Sequence, residues 1–229
     1  MPITKESDLE NILNKLESIL TYKGPKSKYV DEVREVLKCS YRLFSGWKGR
    51  LGPLLTGAYS EDGFWSLFEE FLCECNNGSW SQMSRHLAEI ADYKKILFYS
   101  VQQLLSAGSD LDLVAEIMRS VTDPSSPKKI KGLSPFILSG ISFAFDEDNF
   151  MILDKPVLEY FGISNYEQAL SEYKTIIDTS KSYSTEFNLS MWYINKAYGI
   201  LSHGSELGLK KLCGKCRSKK SSPLVYSFI

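Results

Sequence analysis

Apolar residues recur at three- and four-residue spacing along almost the whole chain, and no stretch sustains the two-residue alternation of a half-buried strand. A helix presents one face every 3.6 residues and a strand every two, so this periodicity restricts the chain to an all-α fold. Leu9, Ile12, Leu13, Leu16, Ile19 and Leu20 line one face of a first helix, opened by a Ser7–Glu10 capping box and ended by "KGPK" at 23–26. A second helix is expected from Tyr29 to Phe44. After it, "SGWKGRLGPLLTGAYSEDG" at 45–63 reads as a loop and as the internal boundary, because it holds five glycines and one proline. Further helices are expected at about 62–75, from about Trp80, at 93–106, at 110–120 behind an Asp110 cap, at 134–145, 155–161, 165–179 behind Asn165 or Ser164, and 185–202.

With 229 residues, 43% of them hydrophobic, the chain is long enough to bury a core. No apolar run reaches the ~18 residues of a membrane span, and acids are spread through Met1–Leu20, so a cytoplasmic protein is expected. Five cysteines, an odd number in a chain this long, point to reduced thiols rather than a disulfide framework. The net charge of −1 is unevenly distributed. Between His203 and Ile229 stand six Lys or Arg against the single acid Glu206, a local +5 that leaves −6 for the remainder.

The densest chemistry lies in "KKIKGLSPFILSGISFAFDEDNFMILDKPVLEYFG", residues 128–162. Gly132 suits the positive φ of a tight turn, Ser134 suits a helix cap, and Pro135 suits a first helical turn. Lys128, Lys129 and Lys131 add positive charge beside a helix N-terminus, which itself favours anions; together these make a turn able to seat a phosphate. The helix that follows carries small residues at Ser139, Gly140, Ser142 and Ala144, which permit close approach of a preceding helix in a hairpin. Downstream, Asp154 precedes an apolar helix, as an N-cap or as a functional acid.

These segments resemble the helix-hairpin-helix DNA glycosylase superfamily. "IKGLSPFILSGISFAF" stands in the place of its hairpin and "ILDKPVLEYFG" in the place of its aspartate-bearing segment, a match over about 35 residues. The resemblance implies an all-α, glycosylase-like domain with a helix-hairpin-helix-type motif, in which Gly132 and Ser134 contact DNA phosphate and Asp154 takes the catalytic position. Two departures stand out: Ser134 replaces the second turn glycine, and Phe136 or a neighbour occupies the place of the Schiff-base lysine of bifunctional members. The resemblance therefore implies a monofunctional enzyme, if any. Phe145–Val157 is similar also to hairpin-like modules of uncharacterised prokaryotic proteins and of proteins beside modification-dependent restriction machinery.

A monofunctional glycosylase needs one carboxylate near the sugar C1′ and a pocket for a flipped base, on which Trp47, Trp65, Trp80, Tyr160 or Trp192 are candidates to stack. Cys213 and Cys216 form a CxxC, a weak zinc candidate for want of a second pair at standard spacing. His86 and His203 stand in no hydrolase motif, there is no phosphate-cradling glycine motif, and no cofactor is expected. Asp146, Glu147 and Asp148 read as a solvated turn. Lys210 and Lys211, in the basic tail, are candidates for backbone contact with DNA, and the apolar ending "PLVYSFI" for a protein partner. The expected organisation is an N-terminal helix at 1–28, a glycosylase-like domain at 29–203 and a basic tail at 204–229. The expected function is DNA binding in repair or in defence against foreign DNA, with base excision through Asp154 or a non-catalytic interaction module as alternatives.

Overall fold

In the computed structural model of the protein, which describes residues 3–25, 27–74 and 87–203, every regular element is helical. In chain order these are α1 (Ile3–Thr21), α2 (Lys28–Leu51), a 3-10 turn (Gly52–Leu54), α3 (Glu61–Glu74), α4 (Leu87–Ala91), α5 (Lys94–Ala107), α6 (Leu111–Thr122), α7 (Pro135–Phe145), α8 (Lys155–Phe161), α9 (Tyr166–Ser171), α10 (Tyr173–Glu186) and α11 (Met191–His203). None of the described helices is long and apolar enough to cross a membrane. The centre is α7, whose residues Ile137–Ala144 are all buried. It packs against α2, α5 and α6, while α11 packs against α1, α8 and α10. The small residues of α7 are what allow this enclosure: a helix with neighbours on several sides has room only for side chains that let backbones approach.

Three expected boundaries are corrected. The first helix starts at Ile3, so Ser7 lies inside it rather than capping it. The glycine-rich stretch at 45–63 is not a loop throughout, because α2 continues to Leu51 through Gly46 and Gly49. Val33, Leu37, Trp47 and Leu51 lie on one buried stripe of that helix at spacings of four or multiples of its turn, and Trp47 meets Phe71 of α3 edge to face at 5.1 Å. The guanidinium of Arg50 covers the other side of the indole at 3.9 Å and pairs with Glu70. Each glycine costs the helix roughly 1 kcal/mol relative to alanine, and burial of Trp47 and Leu51 outweighs that cost. Nothing lies within 4 Å of a Cβ built on Gly49. Gly49→Ala is therefore expected to raise stability by about 0.5–1 kcal/mol in urea unfolding; in a loop of irregular φ the same change gives no such gain.

The third correction concerns the end of the chain. The expected helix at 165–179 breaks at Glu172 into α9 and α10, and the expected helix start at 185 falls within α10, which runs to Glu186. Asn188 adopts φ 49°, the N–H of Leu189 donates to the Ser184 carbonyl at 3.1 Å, and that of Asn188 to Thr185 at 3.4 Å. This double closure around a left-handed residue is a Schellman ending, with asparagine in the place more often held by glycine. The same closure, around Gly162 at φ 71°, ends α8 where the sequence places its end.

Between α7 and α8 the chain runs extended through Phe150, Met151, Ile152 and Leu153, all buried. Among the described residues no strand lies beside it, and side chains take up three of its backbone groups. The N–H of Met151 donates to Tyr173 Oη at 3.2 Å, the Tyr173 hydroxyl donates to the Met151 carbonyl at 2.9 Å, and the N–H of Leu153 donates to Ser139 Oγ at 2.9 Å. Ser139→Ala orphans the Leu153 amide in the interior, and a loss of about 2 kcal/mol is expected in denaturant titrations.

Candidate nucleic-acid interface and carboxylate site

Residues 123–134 link α6 to α7, and two apolar residues peg this loop to the core: Ile130 is fully buried and Leu133 nearly so. The N–H of Ile130 donates to the Val121 carbonyl at 2.9 Å and that of Leu133 to Ile130 at 3.3 Å. Between the pegs Gly132 takes φ 80°, the left-handed conformation for which glycine is suited. Ser134 occupies the N-cap position of α7, yet its hydroxyl makes no capping bond. Lys128 is exposed and Lys129 half-buried, whereas Lys131 is held by Glu89 at 2.9 Å, which raises its proton affinity and offsets its charge. Of the three lysines, two thus keep their charge clear of an ion pair in this loop.

Asp154 is the N-cap of α8: its Oδ1 accepts the Val157 N–H at 3.1 Å, and Pro156 fills the first turn, where no N–H is needed. The carboxyl is also partly buried. Burial pushes it up to about 6, against the opposing pull of the Val157 amide and the Lys196 ammonium. Lys196 comes from α11, where its Nζ lies 5.0 Å from the centroid of the Trp192 ring. Tyr166, the first residue of α9, is 36% exposed, and its hydroxyl is raised by burial and then by the charge of Asp154. Neither Lys196 nor Tyr166 is a candidate on sequence grounds. No spacing connects them to Asp154; only the packing of α11 on α8 and the turn from α8 into α9 do so.

The extended segment sets where Leu153 lies along α7. It leaves α7 at Asp146 and returns along it, so that Leu153 bonds to Ser139, four residues from Pro135. At 1.5 Å rise per residue this is about 6 Å from the start of α7. Leu153 thus lies beside the middle of the 11-residue α7, and Asp154 follows it.

The stacking candidates are placed differently from expectation. Trp47, Trp65, Tyr160 and Trp192 are at most 7% exposed, and Trp80 lies outside the described residues. Tyr160 is committed to Tyr183, hydroxyl to hydroxyl at 2.9 Å, and to the ring of Tyr198 at 4.8 Å. Such side chains pack the core and leave Tyr166 as the accessible ring near Asp154. Glu147, expected in a solvated turn, is structural: it accepts the Tyr41 hydroxyl and the Trp192 N–H, the latter at 3.2 Å, at the start of α11. Burial and Glu147 push the Tyr41 hydroxyl up to about 12, so it remains a donor at neutral pH. Among the described residues no three His, Cys, Asp or Glu side chains are grouped to hold a metal ion. Lys210, Lys211, Cys213 and Cys216 lie outside the described residues. Compared with protein-family models, curated proteins and solved structures, the chain matches none.

Proposed function

We propose that the protein binds DNA through the 128–134 loop, on a helix-hairpin-helix glycosylase-like scaffold, in repair or in defence against foreign DNA. The observation that carries this reading is the convergence of a glycine turn with positive φ, an uncommitted cap serine and two lysines outside any ion pair at the start of α7. Phosphate binding draws on such a set, since backbone donors, a hydroxyl and ammonium groups all favour an anion. The body is acidic outside this loop and the tail, so binding is local and modest in affinity.

Base excision through Asp154 is a second reading, favoured by one specific feature. The carboxyl is partly buried and cationic Lys196 stands near it, the kind of setting in which enzymes keep an acid with a shifted pKa. In that reading ionised Asp154 stabilises positive charge developing at the sugar C1′, and Tyr166 stacks on the displaced base. Damage-dependent strand scission after alkali, abolished in Asp154→Asn, would support it.

The DNA-binding reading is tested by anisotropy titrations of duplexes between ~50 and 200 mM salt. Lys128→Gln with Lys129→Gln is expected to reduce the log–log salt slope by about two, at roughly 0.9 for each phosphate no longer neutralised, whereas Lys131→Gln has the smaller effect of a paired lysine. Absence of any duplex binding at ~50 mM salt, where phosphate contacts are strongest, overturns both readings.

A further inference from the structure

The residues that lead into Asp154 are held from three sides. The Tyr173 hydroxyl, at the start of α10, accepts the Met151 N–H at 3.2 Å and donates to the Met151 carbonyl at 2.9 Å, so one oxygen fixes both ends of that residue. The Ser139 hydroxyl of α7 accepts the Leu153 N–H at 2.9 Å and commits its own proton to the Phe136 carbonyl at 3.0 Å. From α11 the Asn195 amide reaches the Met151 sulfur at 3.7 Å. Tyr173, Ser139 and Asn195 are at most 3% exposed, so water does not compete for these bonds.

Asp154 follows directly on this clamp. Consecutive Cα atoms stand about 3.8 Å apart, so slack at Leu153 passes to Asp154 almost undiminished. On its far side the carboxylate takes the Val157 N–H at 3.1 Å. Its neighbours Lys196 and Tyr166 are delivered by the same parts of the chain: Lys196 follows Asn195 on α11, and Tyr166 opens α9, which runs directly into α10.

We infer that Tyr173 and Ser139 are positioning residues for Asp154, fixing its carboxylate in one place relative to Lys196 and Tyr166 before any DNA is bound. The inference rests on the base-excision reading above and adds to it two residues too deeply buried to touch a substrate. A carboxylate that stabilises charge at the sugar C1′ must stand where that charge develops, and a group already in place does so without reorganising during the reaction. Misplacement by about 1 Å costs on the order of 10²-fold in rate. On a segment with neither helix nor sheet to stiffen it, buried hydrogen bonds from packed helices are what hold such a tolerance.

The test uses the full chain with Tyr173→Phe, which keeps the ring and loses both bonds to Met151, and with Ser139→Ala. Leu72→Ala, a buried change in α3, is the control for instability away from the clamp. Hydrogen exchange at the Val157 amide reads whether the cap bond holds. In the two clamp variants its protection is expected to fall about tenfold more than that of the Leu104 amide in α5, whereas in Leu72→Ala both fall together. An equal fall at Val157 and Leu104 in the clamp variants overturns the inference. Carbon-13 titration of the Asp154 carboxyl is an independent readout: the wild-type midpoint of about 6 is expected to move toward the ordinary value near 4 as the released carboxyl meets water, and to stay in place in Leu72→Ala. A midpoint unmoved in both clamp variants also overturns it. Single-turnover excision from a duplex carrying one deoxyuridine or deoxyinosine is expected to slow about tenfold or more in Tyr173→Phe with duplex affinity unchanged. Excision at the wild-type rate in both variants overturns the inference and leaves the base-excision reading standing. If the wild type excises neither base while exchange and titration respond as expected, that reading falls for these bases and the placement of Asp154 by the clamp stands.

Discussion

Trp47→Ala is expected to lower the stability of the fold by about 3–5 kcal/mol in urea or guanidinium unfolding. The indole is 1% exposed, meets Phe71 edge to face and is covered by Arg50, so alanine leaves a cavity between α2 and α3 and strips Arg50 of the ring beneath it. Neither helix can collapse into the space, because Leu37 and Leu51 of α2 and Phe68 and Leu72 of α3 are themselves enclosed by neighbours. A loss under ~1 kcal/mol would mean that this part of α2 contributes little to the core, as a loop at 45–63 would imply. Trp47→Phe, which keeps an aromatic ring against Phe71, is expected to recover more than half of the stability.

Asp154→Asn is expected to do the opposite: to stabilise the protein at pH 7.5 by about 2–3 kcal/mol, even though the residue caps a helix. Asparagine serves as well as aspartate at an N-cap, so the bond from the Val157 N–H is retained. The change removes the cost of holding an ionised carboxylate in a partly buried place. Folding raises the carboxyl from about 4 to about 6, so the folded state binds a proton more tightly than the unfolded one. The corresponding stability is fully present below about pH 4 and is lost as pH rises through about pH 6, in contrast to a salt-bridged aspartate, which stabilises as pH rises. Stability curves of the wild type and Asp154→Asn should therefore coincide below about pH 4, separate between about pH 4 and 6, and run at a constant difference above that. Parallel curves across that range would show that the carboxylate carries no burial cost. The same variant in the duplex assays separates a contribution to stability from one to DNA binding or base excision.

The caps show how local information reaches the fold. Asp110, Asp154 and Asn165 each accept the N–H three residues on, as short polar side chains before an apolar run are expected to do. Gly132 and Gly162 likewise adopt the positive φ that their contexts call for. The stretch 45–63 departs from its local signals for an equally physical reason. Glycine content signals weak local preference, and tertiary burial of Trp47, Leu51 and Leu54 overrides a weak preference. Asn188 gives no local signal, because an asparagine inside a helical period is common, and only the closed bonds from Leu189 and Asn188 mark it as an ending.

The site divides along the same line. Sequence alone determined that the chain is helical, that α7 is apolar and lined with small residues, that a basic turn with glycine precedes it, and that Asp154 stands at a helix start. These are properties of residues within one or two turns of each other, where backbone geometry and capping chemistry act. The tertiary structure decided which lysine is neutralised, because Glu89 comes from α4, and which aromatics are accessible, because four of the five candidates are spent on the core. It also decided the proton affinity of Asp154, since its burial and its neighbour Lys196 arise from helices distant in the chain. Charge and burial act through space, and only the packed helices place residues 154 and 196 within that range.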